Sequence, residues 1–135
     1  MEKAIVSVGI TENNYSAHIE IGDGVVAATG NSFDELKAEM QSAVEFHLEG
    51  MQEDGEEIPA PFGGRFELVY RFDPESLLTH YRGILSFSAL ERMTGINQRQ
   101  LYRYASGRTK PQEEQRQKIS GALHGLGKEL MGVEL

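Results

Sequence analysis

The sequence predicts an α+β chain in which a small sheet domain with one helix precedes an all-α domain. Apolar residues alternate with other residues over residues 4–10 and 15–21, and again over residues 65–72. Apolar residues recur every three or four positions over residues 33–51, and short helical segments follow Asp73. We therefore expect a β-β-β-α-β domain over residues 1–72 and a domain of four to five helices over residues 73–135.

The first three strands are expected to form a meander. Alternation predicts strands over residues 4–10 and 15–21, with a turn at Asn13 and Asn14 between them. A second turn at Gly22, Asp23 and Gly24 leads to a third strand over residues 25–29, because Asp-Gly tolerates the positive φ that tight hairpins require.

The first helix begins at a capping box. Ser32 and Glu35 are spaced so that each side chain can accept a hydrogen bond from an otherwise unpaired backbone N–H. The helix over residues 33–51 is amphipathic and can cover one face of the meander. A loop over residues 52–64, with two prolines and two adjacent glycines, precedes the fourth strand over residues 65–72. This strand is a candidate edge for pairing across a subunit interface, which alternation by itself does not establish.

The second half divides into short helices. Asp73 followed by Pro74 suits a helix start, because proline at the first helical position lacks only a donor that would be unpaired there. The expected helices cover residues 74–81, 87–94, 98–106 and 112–123, with a short fifth over residues 127–131.

Two of these helices, over residues 87–94 and 98–106, are hinged at Gly95 and form a predicted helix-turn-helix. Six apolar residues fall where two crossing helices must pack, while polar and basic residues lie on the opposite arc. A buried seam with an outward basic arc suits the major groove of DNA. The apolar residues are Leu85, Leu90, Met93, Ile96, Leu101 and Tyr104.

The outward arc supplies the candidate DNA contacts. Gln98 and Arg99 lie in the first turn of the second helix, and their side chains can make paired hydrogen bonds to adenine and guanine. Tyr102 and Arg103 lie one turn further along, within reach of bases or sugar-phosphate. Residues 97–110 contain four basic residues and no acid. The plainer alternative is a solvated basic face on an ordinary helical hairpin.

Phosphate contacts, which fix the register on DNA without reading its sequence, are expected from Ser86, Arg108 and Lys110. The complete predicted DNA-binding set is Ser86, Asn97, Gln98, Arg99, Tyr102, Arg103, Arg108 and Lys110.

The charge of the 135-residue chain is divided unequally between the two halves. The whole chain has a net charge of −8. Residues 1–72 hold 4 Lys+Arg and 14 Asp+Glu, a net charge of −10, whereas residues 73–135 hold 9 and 7, a net charge of +2. This asymmetry indicates an acidic module for a basic protein and a locally basic module for phosphate. The alternative is that surface acid only keeps a small domain in solution.

Several classes of function are not expected. The chain has no cysteine, no run approaches the roughly 18 apolar residues of a membrane span, and the N-terminus lacks the apolar core of a signal peptide, so we expect a cytoplasmic protein without membrane contacts. Glu12, Glu20 and Asp23 are close in sequence, but Glu20 belongs to a strand face and Asp23 to a turn. The histidines, His18, His47, His80 and His124, lack metal-ligand spacing. We expect no catalytic residue, no metal site, no cofactor and no enzyme.

Residues 85–123 resemble the helix-turn-helix domain of phage repressors of the Cro and XRE type. The resemblance rests on Ile96-Asn97-Gln98-Arg99-Gln100-Leu101, on Tyr104-Ala105-Ser106-Gly107 and on Lys110-Pro111. One departure stands four residues before Gly95, where a small residue is usual and this chain has Glu91. The Glu91 carboxylate must tilt to the rim of the helix pair or be paired.

The first half resembles a HicB-type antitoxin domain. The resemblance rests on the order of Tyr15-Ser16-Ala17, Asp23-Gly24, Gly30-Asn31-Ser32-Phe33-Asp34-Glu35 and Glu57-Ile58-Pro59-Ala60-Pro61. The apolar-Pro-Asp segment of that family is absent, and the short segment over residues 25–29 takes its place. The whole chain thus resembles a HicB antitoxin of the helix-turn-helix subtype.

This resemblance implies a specific function. The first domain would have a degraded ribonuclease-H-like fold and would occlude a small basic HicA-type toxin that cleaves mRNA. Homodimers or tetramers would place two recognition helices on half-sites about 34 Å apart in a palindromic operator of double-stranded DNA, and would repress the toxin-antitoxin operon. The alternative function is a stand-alone repressor whose first domain dimerises or senses a small ligand.

Overall fold

The computed structural model describes all 135 residues and has an α+β architecture of four strands and five helices. The strands are β1 (Glu2–Ile10), β2 (Tyr15–Ile21), β3 (Gly24–Gly30) and β4 (Phe66–Phe72). The helices are α1 (Phe33–Glu53), α2 (Pro74–Tyr81), α3 (Phe87–Thr94), α4 (Gln98–Ala105) and α5 (Glu113–Met131). The chain divides into two compact units, Met1–Asp73 and Pro74–Leu135, each of which is described by itself.

All strands of the first unit belong to one mixed sheet with the order β3-β2-β1-β4. The strands β1, β2 and β3 pair antiparallel in sequence order, which confirms the predicted meander. The strand β4 pairs parallel with β1, at the edge of the sheet opposite to β3, so the chain must cross the sheet between β3 and β4. The helix α1 makes that crossover, which leaves β4 at one edge of the sheet.

The core of the first unit lies between the sheet and α1. Alternate residues of β1 and β2 are buried, as their sequence pattern predicted, and they meet three fully buried residues of α1. Aromatic side chains fill the core beside β4. The ring of Phe33 contacts the rings of Tyr70 and Phe72, with 5.5 Å and 5.1 Å between the ring centroids. Burial raises the pKa of the Tyr70 hydroxyl. The main buried residues are Ala4, Val6, Val8, Ala17, Ile19, Ile21, Leu36, Met40 and Val44.

The end of β3 lies very close to the start of α1. The Ser32 hydroxyl caps α1 by accepting a hydrogen bond from the Glu35 N–H at 3.1 Å, as the capping box predicted for the serine. Two residues earlier, a Cβ atom added to Gly30 would lie 2.6 Å from the Leu36 backbone nitrogen. The first turn of α1 therefore rests directly on the backbone of Gly30, and only glycine fits there.

The second unit is a four-helix unit with its own core. Four of the six residues predicted to pack the helix pair, Leu90, Ile96, Leu101 and Tyr104, are fully buried. The other two, Leu85 and Met93, are half-buried. The core is completed by Leu78 of α2 and Ile119 of α5.

The predicted break in the C-terminal helix is wrong. In place of helices over residues 112–123 and 127–131, α5 runs without interruption through Gly121, Gly125 and Gly127. Glycine lowers helix stability by about 1 kcal/mol relative to alanine, but it keeps its N–H and C=O and so continues the hydrogen-bond ladder. Only proline would have removed a donor, and α5 contains none. None of the five helices is long and apolar enough to cross a bilayer.

Replacing Gly30 with alanine tests the contact between β3 and α1. We expect Gly30→Ala to lower the free energy of unfolding of the first unit by about 1–3 kcal/mol, because the added methyl group meets backbone that cannot rotate away. Hydrogen exchange of the β3 and α1 amides in urea measures the change. Gly50→Ala is the matched control, since its added methyl group meets nothing within 4 Å. Equal protection in the two variants would contradict the packing described.

Candidate nucleic-acid interface

A tight turn joins α3 to α4. The helix α3 ends at Gly95, whose φ of 79° is the left-handed conformation that glycine adopts without steric cost, and whose N–H donates to the Glu91 carbonyl at 2.8 Å. Ile96 then enters the core, where it is 6% exposed, and α4 begins directly after Asn97. The chain therefore changes direction between two helices within three residues.

The two predicted contacts Ser86 and Asn97 are helix caps. The Ser86 hydroxyl oxygen accepts from the Ala89 N–H at 3.0 Å, and the side-chain Oδ1 of Asn97 accepts from the Gln100 N–H at 2.8 Å. Both interactions satisfy backbone donors that a helix start leaves unpaired. Both side chains are exposed, and each also carries a donor, the Ser86 hydroxyl hydrogen and the Asn97 amide group, that capping does not require.

The unusual Glu91 is a third cap. Its carboxylate Oε2 accepts a hydrogen bond from the Gln98 N–H at 3.0 Å, so the side chain is paired, and it bridges α3 to the first residue of α4. A negative charge is stabilising at this end of a helix. Glu91 is the only acid between Ser86 and Lys110, and its charge is directed to the backbone of α4.

The predicted outward arc of α4 is exposed. Leu101 and Tyr104 are buried on the opposite side of the helix, at 0% and 4% exposure. Neither Arg99 nor Arg103 forms an ion pair with an acid of the chain. We call this arc the α4 surface, and it consists of the exposed side chains of Gln98, Arg99, Tyr102 and Arg103.

The loop after α4 holds the other two predicted basic residues in place. The Arg103 carbonyl accepts from the N–H groups of Arg108 at 3.0 Å and Thr109 at 3.3 Å, and Pro111 is buried behind them. Gly107 turns the chain with a φ of 77°. The side chains of Arg108 and Lys110 are exposed at the end of α4.

Sequence reasoning missed Arg82, which the structure places beside the α4 surface. The Arg82 guanidinium lies over the Phe87 ring, 4.9 Å from its centroid, and the Phe87 ring contacts the ring of Tyr102 in an edge arrangement at 6.5 Å. Such stacking holds an arginine side chain in place while its donors stay in solvent. Arg82 lies outside any segment with helical or strand periodicity, so no sequence pattern indicated its contact with Phe87.

The helix α1 carries part of the acidic surface of the first unit. Six acids of this helix are exposed, and Phe46, whose side chain is 79% exposed, lies among them. Sequence analysis did not single out Phe46, although it is the apolar residue that departs from the buried stripe of the helix. The exposed acids of the helix are Asp34, Glu35, Glu39, Glu45, Glu49 and Glu53.

Comparisons of the chain with protein-family models, with curated proteins and with solved structures give no match. The chain also has no group of three His, Asp or Glu side chains arranged to hold a metal ion. Any inference about the function of the α4 surface and of the acidic helix therefore depends on their own geometry and charge.

Removing the Glu91 cap tests the turn. We expect Glu91→Ala to lower the free energy of unfolding of the second unit by about 0.5–2 kcal/mol, the usual range for loss of a helix cap. The Gln98 amide should exchange faster with solvent in this variant, as measured by NMR. Glu114→Ala is the control, because Glu114 forms only an exposed pair with Lys118 at 3.8 Å. Unchanged exchange at Gln98 would show that the cap is not made in solution.

Proposed function

We propose that the chain is an antitoxin that represses its own operon by binding operator DNA through α4 and that neutralises a small basic toxin through its first unit. The observation that carries the DNA-binding half is the α4 surface, where two unpaired arginines project from a helix that starts directly after a tight turn. This arrangement is the one that helix-turn-helix proteins insert in the major groove.

The positions along α4 distinguish base contacts from phosphate contacts. Gln98 and Arg99 are in the first turn, which enters the groove first, and their planar side chains match adenine and guanine edges. Arg103 lies a turn later, and Arg108 and Lys110 lie beyond the helix end, as expected for contacts to the sugar-phosphate backbone. Arg82 extends the phosphate-binding set at the start of α3.

The charge of the second unit favours selective binding over general coating of nucleic acid. Its net charge is only +2, and the acids Glu113 and Glu114 in the first turn of α5 are paired with Arg116 and Lys118. The unpaired cations are thus concentrated on and around α4. Local concentration of charge gives a defined footprint on the duplex.

The acidic helix supports the antitoxin half of the proposal. The first unit carries a net charge of −10 over residues 1–72, which would attract a cationic protein and accelerate encounter. The exposed Phe46 offers an apolar anchor among these acids, and aromatic anchors supply much of the affinity of protein interfaces. From the resemblance to HicB antitoxins, we propose that the partner is a HicA-type toxin that cleaves mRNA.

A second candidate function is a repressor without a toxin partner, whose first unit dimerises. The edge of β4 that pairs with no further strand favours it. The two functions differ in gene context, since an adjacent overlapping reading frame for a small basic protein favours the antitoxin. If the chain retains that gene product in a pull-down, the antitoxin function is supported. If the chain does not retain it, the repressor function is supported.

Substitutions of two basic residues test DNA binding. On DNA selected from random sequence by the protein, Arg99→Ala should weaken binding by about 1–3 kcal/mol and reduce the preference over random DNA, whereas Lys110→Ala should weaken both similarly. Fluorescence anisotropy at several salt concentrations measures both effects, and affinity should fall steeply with salt. Arg116→Ala, on the paired α5 arginine, is the control and should change little. Equal losses on selected and random DNA for Arg99→Ala would remove its base-reading role.

Substitution of Phe46 tests the toxin-binding surface. Phe46→Ala should weaken binding of the adjacent basic gene product by about 2 kcal/mol or more if the ring is a buried anchor. Calorimetric titration measures the loss, and DNA binding by the variant should be unchanged. Val25→Ala, at an exposed apolar residue of β3, is the matched control. Unaltered toxin affinity in Phe46→Ala would exclude this face of α1.

A further inference from the structure

The strand β4 has a free edge. It is the last strand in the order β3-β2-β1-β4, so one side pairs with β1 and the other side faces no strand. Its register with β1 is continuous over all seven residues, without a bulge. Proteins usually protect such an edge with proline, lysine, a bulge or a covering segment, and the sequence Phe66-Glu67-Leu68-Val69-Tyr70-Arg71-Phe72 contains neither proline nor lysine.

The free hydrogen-bonding groups of this edge belong to alternate residues. The Arg65 carbonyl accepts from the Glu2 N–H of the first strand at 3.2 Å, so the backbone groups of Arg65 point toward β1. Backbone groups alternate in direction along a strand, and those of Glu67, Val69 and Arg71 therefore also point toward β1. The N–H and C=O groups of Leu68 and Tyr70 point to the open side.

The side chains of β4 form a near-palindrome about Val69. Phe66 and Phe72 are equidistant from it, as are Leu68 and Tyr70, and Glu67 and Arg71 carry opposite charges at equal distances. Glu67 and Arg71 are both exposed, and neither forms an ion pair within the chain. A two-fold axis through Val69 would place each Glu67 opposite the Arg71 of a second copy.

The alternative registers are unfavourable. The free backbone groups lie on alternate residues, so two copies of β4 can pair antiparallel in three registers. In these registers the two-fold axis passes through Leu68, through Val69 or through Tyr70. Centring on Leu68 places Arg71 opposite the Arg65 of the second copy, and centring on Tyr70 places Glu67 opposite its Asp73. Like charges directly opposite each other destabilise a strand pair, whereas opposite charges stabilise it. Among these three registers, only the one centred on Val69 places opposite charges opposite each other at both positions.

We infer that two copies of the chain associate through β4, as an antiparallel strand pair with its two-fold axis at Val69. This pairing joins two four-stranded sheets into one of eight strands and covers the half-buried Phe66, Leu68 and Tyr70 from the edge side. The contact is isologous, so it closes at two copies without leaving a further edge of the same kind. It requires neither toxin nor DNA, and its failure would remove support from the second candidate function while leaving the proposed toxin binding and the DNA contacts of α4 untouched.

Charge reversal with rescue tests this interface on the isolated full-length protein. Light scattering should show that Arg71→Glu and Glu67→Arg each halve the mass of the wild-type assembly, because each creates like-charge pairs across the axis. The double variant, Glu67→Arg with Arg71→Glu, should restore the wild-type mass. An equimolar mixture of the two single variants should also restore it, because each chain then meets its complement. Glu20→Arg, on the same face of β2, is the control and should keep the wild-type mass.

Three results would overturn the inference: a wild-type mass of one chain, single variants with the wild-type mass, or no restoration by either the double variant or the mixture. Restoration also shows that the single variants are folded, because a misfolded chain would not regain its partner on mixing.

A cysteine variant tests the register directly, because the natural chain has no cysteine. Residues opposite each other in a non-hydrogen-bonded antiparallel pair have Cα atoms about 4.5 Å apart, within the range that a disulfide spans. Val69→Cys should therefore form a disulfide-linked dimer on mild oxidation, seen on a non-reducing gel. Val25→Cys, on the opposite edge strand β3, should remain monomeric on that gel. Cross-linking through position 25 with none through position 69 would place the interface elsewhere.

Discussion

The turn between α3 and α4 is the constraint on which the candidate interface depends. Gly95 supplies a backbone conformation that other residues adopt only with strain, and the buried Ile96 fixes the turn to the core. Glu91 then ties the two helices together through the Gln98 N–H. Because these three contacts set the direction of α4, they also decide that Arg99 and Arg103 project into solvent while Leu101 and Tyr104 fill the core.

The two units carry charge in different ways. The second unit has a small net charge, and its unpaired arginines are concentrated on one helix, which favours a defined contact with phosphate and bases. The first unit has a large negative charge that is spread over α1, the strands and the loops, which favours attraction of a cationic protein over a wide surface. Phe46 and Tyr102 add one exposed aromatic ring to each of these surfaces, so each combines charge with an apolar contact.

Self-association through β4 would connect the sheet to the proposed repressor activity. A palindromic operator presents two identical half-sites, and a protein reads both only if it supplies two recognition helices related by a two-fold axis. The β4 edge offers a two-fold contact whose charges match in one of the registers that its free backbone groups allow. The same unit can then serve both as a toxin-binding surface and as the source of the symmetry that DNA recognition needs.

The sequence by itself determined the local elements, because alternation, helical spacing and caps act between residues that are close along the chain. The strands of the meander and α1 were predicted within two residues of their ends, and the turn at Gly95 and the exposed arc of α4 were also predicted. Tertiary structure alone decided the parallel pairing of β4 with β1, the contact of Arg82 with Phe87, and the pairing of Glu91 with Gln98. These contacts join segments whose separation along the chain carries no periodic signal. The continuity of α5 was also decided by the tertiary structure. Glycine weakens a helix without removing its hydrogen bonds, so the packing of the surrounding chain determines whether the helix continues.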